Sequence, residues 1–195
     1  MKKALFVTVD FINDIVHPDG KIPRCAAMVE EQQTLKHVNK ALAWAREQEI
    51  EVAHVRVGFP IGYANCPSSS PLFGKAAENE ILLLDTWGTE FHRELNVKED
   101  DFIVTKHRVS IFYNTNLESL LRAKQIDTLI LCGVSTDMAI ETAVREAHDR
   151  DYQIFVLGEC CAATSVDIHQ RTLEGMIAYL AKIRSLSQLK EEFAA

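Results

Sequence analysis

Apolar runs alternate with amphipathic stretches along the whole chain. Ala4–Val9 is a short, unbroken apolar run rich in β-formers, the pattern of a strand buried on both faces. A loop follows over 13–24, with a strong turn signal in His17-Pro-Asp-Gly20. From Met28 to Gln48, Val29, Leu35, Val38, Leu42 and Trp44 recur near helical spacing among Glu and Lys, predicting one helix. Strands are then expected at Glu51–Val57, Phe102–Thr105, Thr128–Cys132 and Gln153–Leu157. Helices are expected at Leu117–Ala123, Asp137–Asp149 and Asp167–Ile183. Between Gly58 and Thr89 lies a different segment, with three prolines, three glycines and Ser68–Ser70. A loop this long inside a compact domain points to a lid or an oligomer contact.

Strand–helix alternation of this kind predicts an α/β fold with a parallel sheet covered on both faces. Ligands in such sheets sit beyond the carboxyl ends of the strands. Asp10, residues 58–60, Lys106, 133–139 and 159–161 therefore become the positions to inspect.

The chain has 195 residues, which predicts a single domain over 1–195 with a core needing no staples. A net charge of −7, with no basic run longer than two residues, argues against nucleic acid or an anionic membrane as partner. The five cysteines are an odd count without CxxC pairs, which removes a disulfide framework and a zinc ribbon. The opening Met1–Val9 reads as a first strand and not as a signal peptide, no apolar run approaches a membrane span, and a cytoplasmic location is expected.

No GxGxxG follows a strand, no P-loop occurs, and Gly133–Asp137 fails the GxSxG pattern at its last position. Ile12 stands where a DxDx[TV] phosphotransferase needs an acid. The seven histidines never fall in HxH or HxxxH spacing. No metal and no cofactor are expected.

What remains is Asp10 and Lys106, each closing a predicted strand. Alone, Asp10 reads equally as a turn or capping aspartate, and Lys106 as a solvated strand end. Together in one crevice they would hold the carboxylate ionised unless desolvation wins, and could pass a proton to or from a ligand. After the fourth strand, Thr136 is placed to cap the next helix, leaving amides near Met138–Ala139 as first-turn donors for an oxyanion.

Asp10-Phe-Ile-Asn-Asp14, Lys106-His-Arg-Val-Ser-Ile-Phe112 with Thr115 and Leu117, and Gly133-Val-Ser-Thr-Asp-Met-Ala-Ile-Glu-Thr-Ala143 occur in that order. With Trp87-Gly-Thr-Glu90 and Gly158-Glu-Cys-Cys-Ala-Ala163, they make the chain resemble the isochorismatase-like (cysteine hydrolase) superfamily over nearly its whole length. The resemblance implies a three-layer α/β/α Rossmann-like fold with a six-stranded, mainly parallel sheet, and a homodimer or homotetramer. It implies a hydrolase acting on a small molecule, with Asp10 as general acid/base and Lys106 as its orienting partner. It also implies a non-proline cis peptide at Val134–Ser135.

Two positions depart from the family pattern. Where amidohydrolase members carry their nucleophilic cysteine, this chain has Ala139, and where many carry glutamine it has Ile12. Alanine cannot form an acyl-enzyme. Three explanations remain open: a thiol-independent branch that hydrolyses a vinyl ether or a C–N bond, an engineered cysteine-to-alanine exchange, or a silent relative that still binds a small amide-like ligand. Of the other cysteines, Cys132 reads as a buried structural thiol, Cys160 and Cys161 follow the fifth strand, and Cys66 sits in the long loop. Ser135, Met138, Phe59, Trp87 and Phe112 are the candidate substrate contacts, and Arg24, Arg108 or His107 could meet a substrate carboxylate.

Overall fold

The computed structural model describes residues 3–194; Met1, Lys2 and Ala195, which the single-domain expectation includes, lie outside the described residues. Six strands form one sheet: β1 (Ala4–Val9), β2 (Glu51–Val57), β3 (Phe102–Lys106), β4 (Thr128–Val134), β5 (Gln153–Ala162) and β6 (Lys182–Arg184). Their order is β3-β2-β1-β4-β5-β6 and every pairing is parallel. The chain first builds outward from β1 to β3 and then returns to the other side of β1. Its switch point is therefore the β1/β4 boundary, where an open α/β sheet splays its loops apart.

β1 and β4 are buried at every residue, as unbroken apolar runs in the middle of a covered parallel sheet should be. At their carboxyl ends Val9 lies opposite Gly133, whose φ is 150°. A Cβ there would run into the backbone oxygen and side chain of Val9, so only glycine lets the two strands meet. Asp10 then leaves the sheet with φ 59°, a left-handed conformation that aspartate tolerates better than most residues.

The helices are α1 (Asn13–Val16), α2 (Ala26–Glu31), α3 (Thr34–Glu47), α4 (Leu117–Lys124) and α5 (Glu141–His148). After β5 come α6 (Val166–Thr172), α7 (Ala178–Leu180) and α8 (Leu186–Ala194). No helix among the described residues is long and apolar enough to cross a membrane.

Several expected boundaries move. The helix expected over 28–48 is two helices, because Gln33 adopts φ 51° and breaks the run between α2 and α3. The long helix expected over 167–183 passes through a π segment, Leu173–Ile177, kinked at Gly175, and stops at Leu180. Lys182–Arg184 instead pairs with Phe155–Leu157 as the sheet's short edge strand. Three residues are too few to show an alternating pattern against a helical background. β5 also continues beyond Leu157, so Cys160 and Cys161 are strand residues buried in the core.

Candidate active site

Beyond the carboxyl ends of β1, β3 and β4 lies a cavity of about 340 Å³. Asp10, Lys106, Ser135, Met138 and Ala139 all line it. Lys106 lies opposite Val57 in the ladder, one strand removed from β1, and reaches past the end of β2. Its Nζ lies 2.8 Å from Asp10 Oδ2, and both side chains are at least 95% buried. It also donates to the carbonyl oxygens of Arg108 (3.1 Å) and Val109 (3.2 Å). An ammonium has three protons, and here three acceptors take them. Lys106 therefore holds Asp10 and leaves no free donor for a ligand.

The two oxygens of Asp10 differ. Oδ2 is held by Lys106, whereas Oδ1 is buried without a hydrogen-bond partner. Burial raises the pKa of the carboxyl above its ordinary value, against the opposing pull of the Lys106 charge. Desolvation thus outweighs the ion pair. A carboxyl with one fixed oxygen, one uncommitted oxygen and a raised pKa is equipped to carry a proton.

The third wall is the turn after β4. The Val134–Ser135 peptide is cis, as the resemblance implies. Residues Thr136–Ile140 then form a π-type turn leading into α5. Ile140 N–H bonds to the Ser135 carbonyl five residues back at 3.2 Å, the carbonyl that an α-helix would pair with the amide of Ala139. The Met138 amide also points back to Ser135 O, at 3.3 Å. Thr136 does not cap this turn. Ser135 occupies the cap position without a side-chain bond, and Thr136 Oγ1 lies 2.8 Å from His169 Nδ1.

A roof over the cavity comes from the long loop. Leu72, Phe73, Ile81 and Leu82 face the cavity from it, joined by Ile15 from α1 and Ile22 from the loop that follows α1. The loop is organised by its own apolar cluster, in which Phe73, Ala76 and Leu82 pack with Ile12, Val57 and Phe59. Ile12, one of the two departures from the family pattern, is fully buried in this cluster. The buried Asp14 carboxylate fastens the two loops, accepting from the amides of Leu82 (2.8 Å) and Lys21 (3.3 Å). Gly88 packs directly on that carboxylate, where a Cβ would collide with it.

Three aromatic candidates do not line the cavity. Phe59 is fully buried inside the roof cluster. Trp87 lies at the surface, edge-on to His17 at 5.0 Å. Phe112 is buried beneath the Arg150 guanidinium, 4.5 Å above its ring. Of the three cationic candidates, Arg24 lines the cavity. Arg108 donates to the carbonyls of Asn65 and His107, and His107 Nδ1 contacts Gly58 O; neither faces the cavity.

Sequence reasoning passed over Cys25, the cysteine that does line the cavity. Burial, reinforced by the charges of Asp137 and Asp10, pushes its thiol up to about 12, so it stays protonated near neutral pH. Burial also raises the pKa values of Cys132, Cys160 and Cys161. Cys66 Sγ donates to Phe73 O within the roof. The Ile81–Leu84 run, apolar within a Pro/Gly/Ser-rich segment, was the available signal for a buried roof.

A family model described as "Isochorismatase domain" matches residues 4–188. The uncharacterized isochorismatase family protein YecD of Escherichia coli O157:H7 is 26% identical over 174 residues, covering 88% of this chain and 89% of that protein. The ureidoacrylate amidohydrolase RutB of Acinetobacter baylyi is 27% identical over 186 residues, covering 88% of this chain and 76% of that one. Among solved structures, an isochorismatase family protein from Desulfovibrio vulgaris subsp. vulgaris str. Hildenborough superposes with a TM-score of 0.88 at 22% identity, covering 100% of both chains.

Proposed function

We propose that this chain, which belongs to the isochorismatase family, is a hydrolase that works through Asp10 and Lys106 without a thiol nucleophile. One observation carries the reading: Asp10 is buried at the cavity with Oδ2 fixed by Lys106 and Oδ1 uncommitted. The substrate is a small molecule with a hydrolysable vinyl ether or C–N bond. The RutB relative, named for an amidohydrolase activity, supports the C–N alternative.

Ala139 offers only a methyl group, so water attacks directly and no covalent enzyme intermediate forms. For a C–N bond, Asp10 as carboxylate takes a proton from the attacking water, whose oxygen bonds to the carbonyl carbon. Of the amides in the turn after Ser135, those of Met138 and Ile140 bond back to the Ser135 carbonyl, which leaves the Ala139 amide as the donor for the charge that develops on the carbonyl oxygen. Asp10 then returns the proton to the departing nitrogen as the C–N bond breaks. For a vinyl ether, the protonated Asp10 delivers its proton to the vinyl carbon, and water adds to the resulting oxocarbenium ion and gives a proton back to Asp10. The hemiketal so formed breaks its C–O bond to a carbonyl compound and an alcohol. Both routes need one carboxyl that cycles between two states, and the raised pKa brings those states closer together near neutral pH. Lys106 keeps the carboxyl aimed throughout.

Product-detecting assays on vinyl ethers, amides, imides and carbamates test this, with the chain beside Asp10→Asn and Ala139→Cys. Turnover by the chain itself, reduced by about 10² to 10⁴ in Asp10→Asn, is the expected result. Turnover that occurs only in Ala139→Cys would overturn the thiol-independent reading.

A further inference from the structure

The charges around the cavity do not cancel pair by pair. Four charged side chains line it: Asp10, Lys106, Arg24 and Asp137. Asp10 and Lys106 satisfy one another at 2.8 Å. The Arg24 guanidinium has no ion-pair or hydrogen-bond partner among the described residues. Asp137 is half-buried, and its Oδ1 is shut off from solvent without a partner. One cation and one acid are thus left facing the same space without bonding each other.

We propose that Arg24 is the anion clamp of this site, and that the ligand is a monocarboxylate with an apolar body. The proposal rests on reading the cavity as the hydrolase site and names the substrate class that site selects. A guanidinium takes a carboxylate through two parallel N–H···O bonds, which fixes the orientation of the ligand as well as its charge. The exposed Arg24 binds the carboxylate at the rim, and the apolar body lies against Ile15, Ile22, Phe73, Leu82 and Met138. This directs the opposite end of the ligand toward Asp10 Oδ1. A second carboxylate would find no free cation, since the three protons of Lys106 are already taken, and would face Asp137. Asp137 instead accepts an N–H or O–H donor from the ligand. About 340 Å³ accommodates a body the size of one substituted ring.

Calorimetric titration of the full chain with benzoate, benzamide and isophthalate reads this without relying on turnover. Benzoate is expected to bind about threefold to fivefold more tightly than either of the others, the range that an exposed guanidinium–carboxylate pair is worth. In Arg24→Gln that advantage disappears, in Arg24→Lys part of it returns, and added salt weakens benzoate while sparing benzamide. Arg24 is exposed, so these variants do not disturb the core. The proposal is overturned if benzamide binds as well as benzoate, if isophthalate binds best, if the advantage survives in Arg24→Gln, or if none of the three binds. If benzoate behaves as expected but no amide or vinyl ether is hydrolysed, the hydrolase reading fails and the clamp stands. If neutral amides are hydrolysed and benzoate is not preferred, the clamp fails and the hydrolase reading stands.

Discussion

Two buried carboxylates anchor ion pairs at opposite ends of the sheet, and they are finished differently. Asp101 lies just ahead of β3. Its Oδ2 accepts from Arg46 Nη2 (2.6 Å) and the Lys98 amide (2.7 Å), and lies 3.0 Å from His54 Nε2. The other nitrogen of His54 meets Thr8 Oγ1 at 2.7 Å, so the network runs from α3 through β2 to β1. Asp10, at the carboxyl ends of the strands, has one partner side chain and one uncommitted oxygen. The Asp101 carboxylate is held by three partners, and the atom left over in its network is Arg46 Nε, part of a charge that cannot be given up. The oxygen left over at Asp10 can instead accept a donor or move a proton. Asp101 and Arg46 border a separate pocket at the amino ends of the strands, together with Lys98 and Lys124, whereas Asp10 lines the cavity under the roof.

Breaking each centre should expose that difference. Asp101→Ala leaves Arg46 buried without its carboxylate, and arginine cannot escape by losing a proton. A loss of about 3 kcal/mol in unfolding free energy by urea titration is expected, with turnover per folded molecule retained. Lys106→Met should show the opposite balance. Asp10 can neutralise itself by taking a proton, so stability falls less, while turnover drops about a hundredfold because the carboxyl loses its aim. Equal stability losses in the two variants would remove the distinction. Thr8→Val, a nearly isosteric change, leaves His54 Nδ1 unpaired and should cost about 1.5 kcal/mol by the same titration.

The finest contrast is in pH. Burial raises the pKa of Asp10, so its contribution to stability is fully present below the ordinary carboxyl value of 3.8 and is lost as pH rises through the folded pKa. Burial lowers the pKa of His54 despite Asp101, so its contribution is present above 6.5 and is lost as pH falls through the folded pKa. The stability differences between the chain and Asp10→Asn, and between the chain and His54→Asn, should therefore slope in opposite directions across those windows. Parallel slopes would mean that the two sites are solvated alike.

The parts legible in the sequence were those with a local cause. Ala4–Val9 and Thr128–Val134 are unbroken apolar runs because both faces are covered, and the strand ends then pointed to Asp10, Lys106 and 135–139. Less visible were features set by distant packing. Gln33 turns left-handed with no glycine to announce it, and Lys182–Arg184 is a strand only because the edge of β5 is there to pair with. Aromatic residues misled for a related reason. Phe59 and Phe112 are large enough to wall a pocket, but burial inside neighbouring clusters claims them first. Cys25 and Phe73 reach the cavity through loop paths that periodicity does not describe.

The Lys106–Asp10 contact joins strands that are not neighbours, and it exists only while Val57 stands opposite Lys106. Slipping β3 by one residue would turn the Lys106 side chain to the far face of the sheet. The ammonium would then lose the Asp10 carboxylate, and Asp10 would stand alone. The pair thus acts as a proofreader of strand alignment: a molecule folded in the wrong register is also one that cannot act.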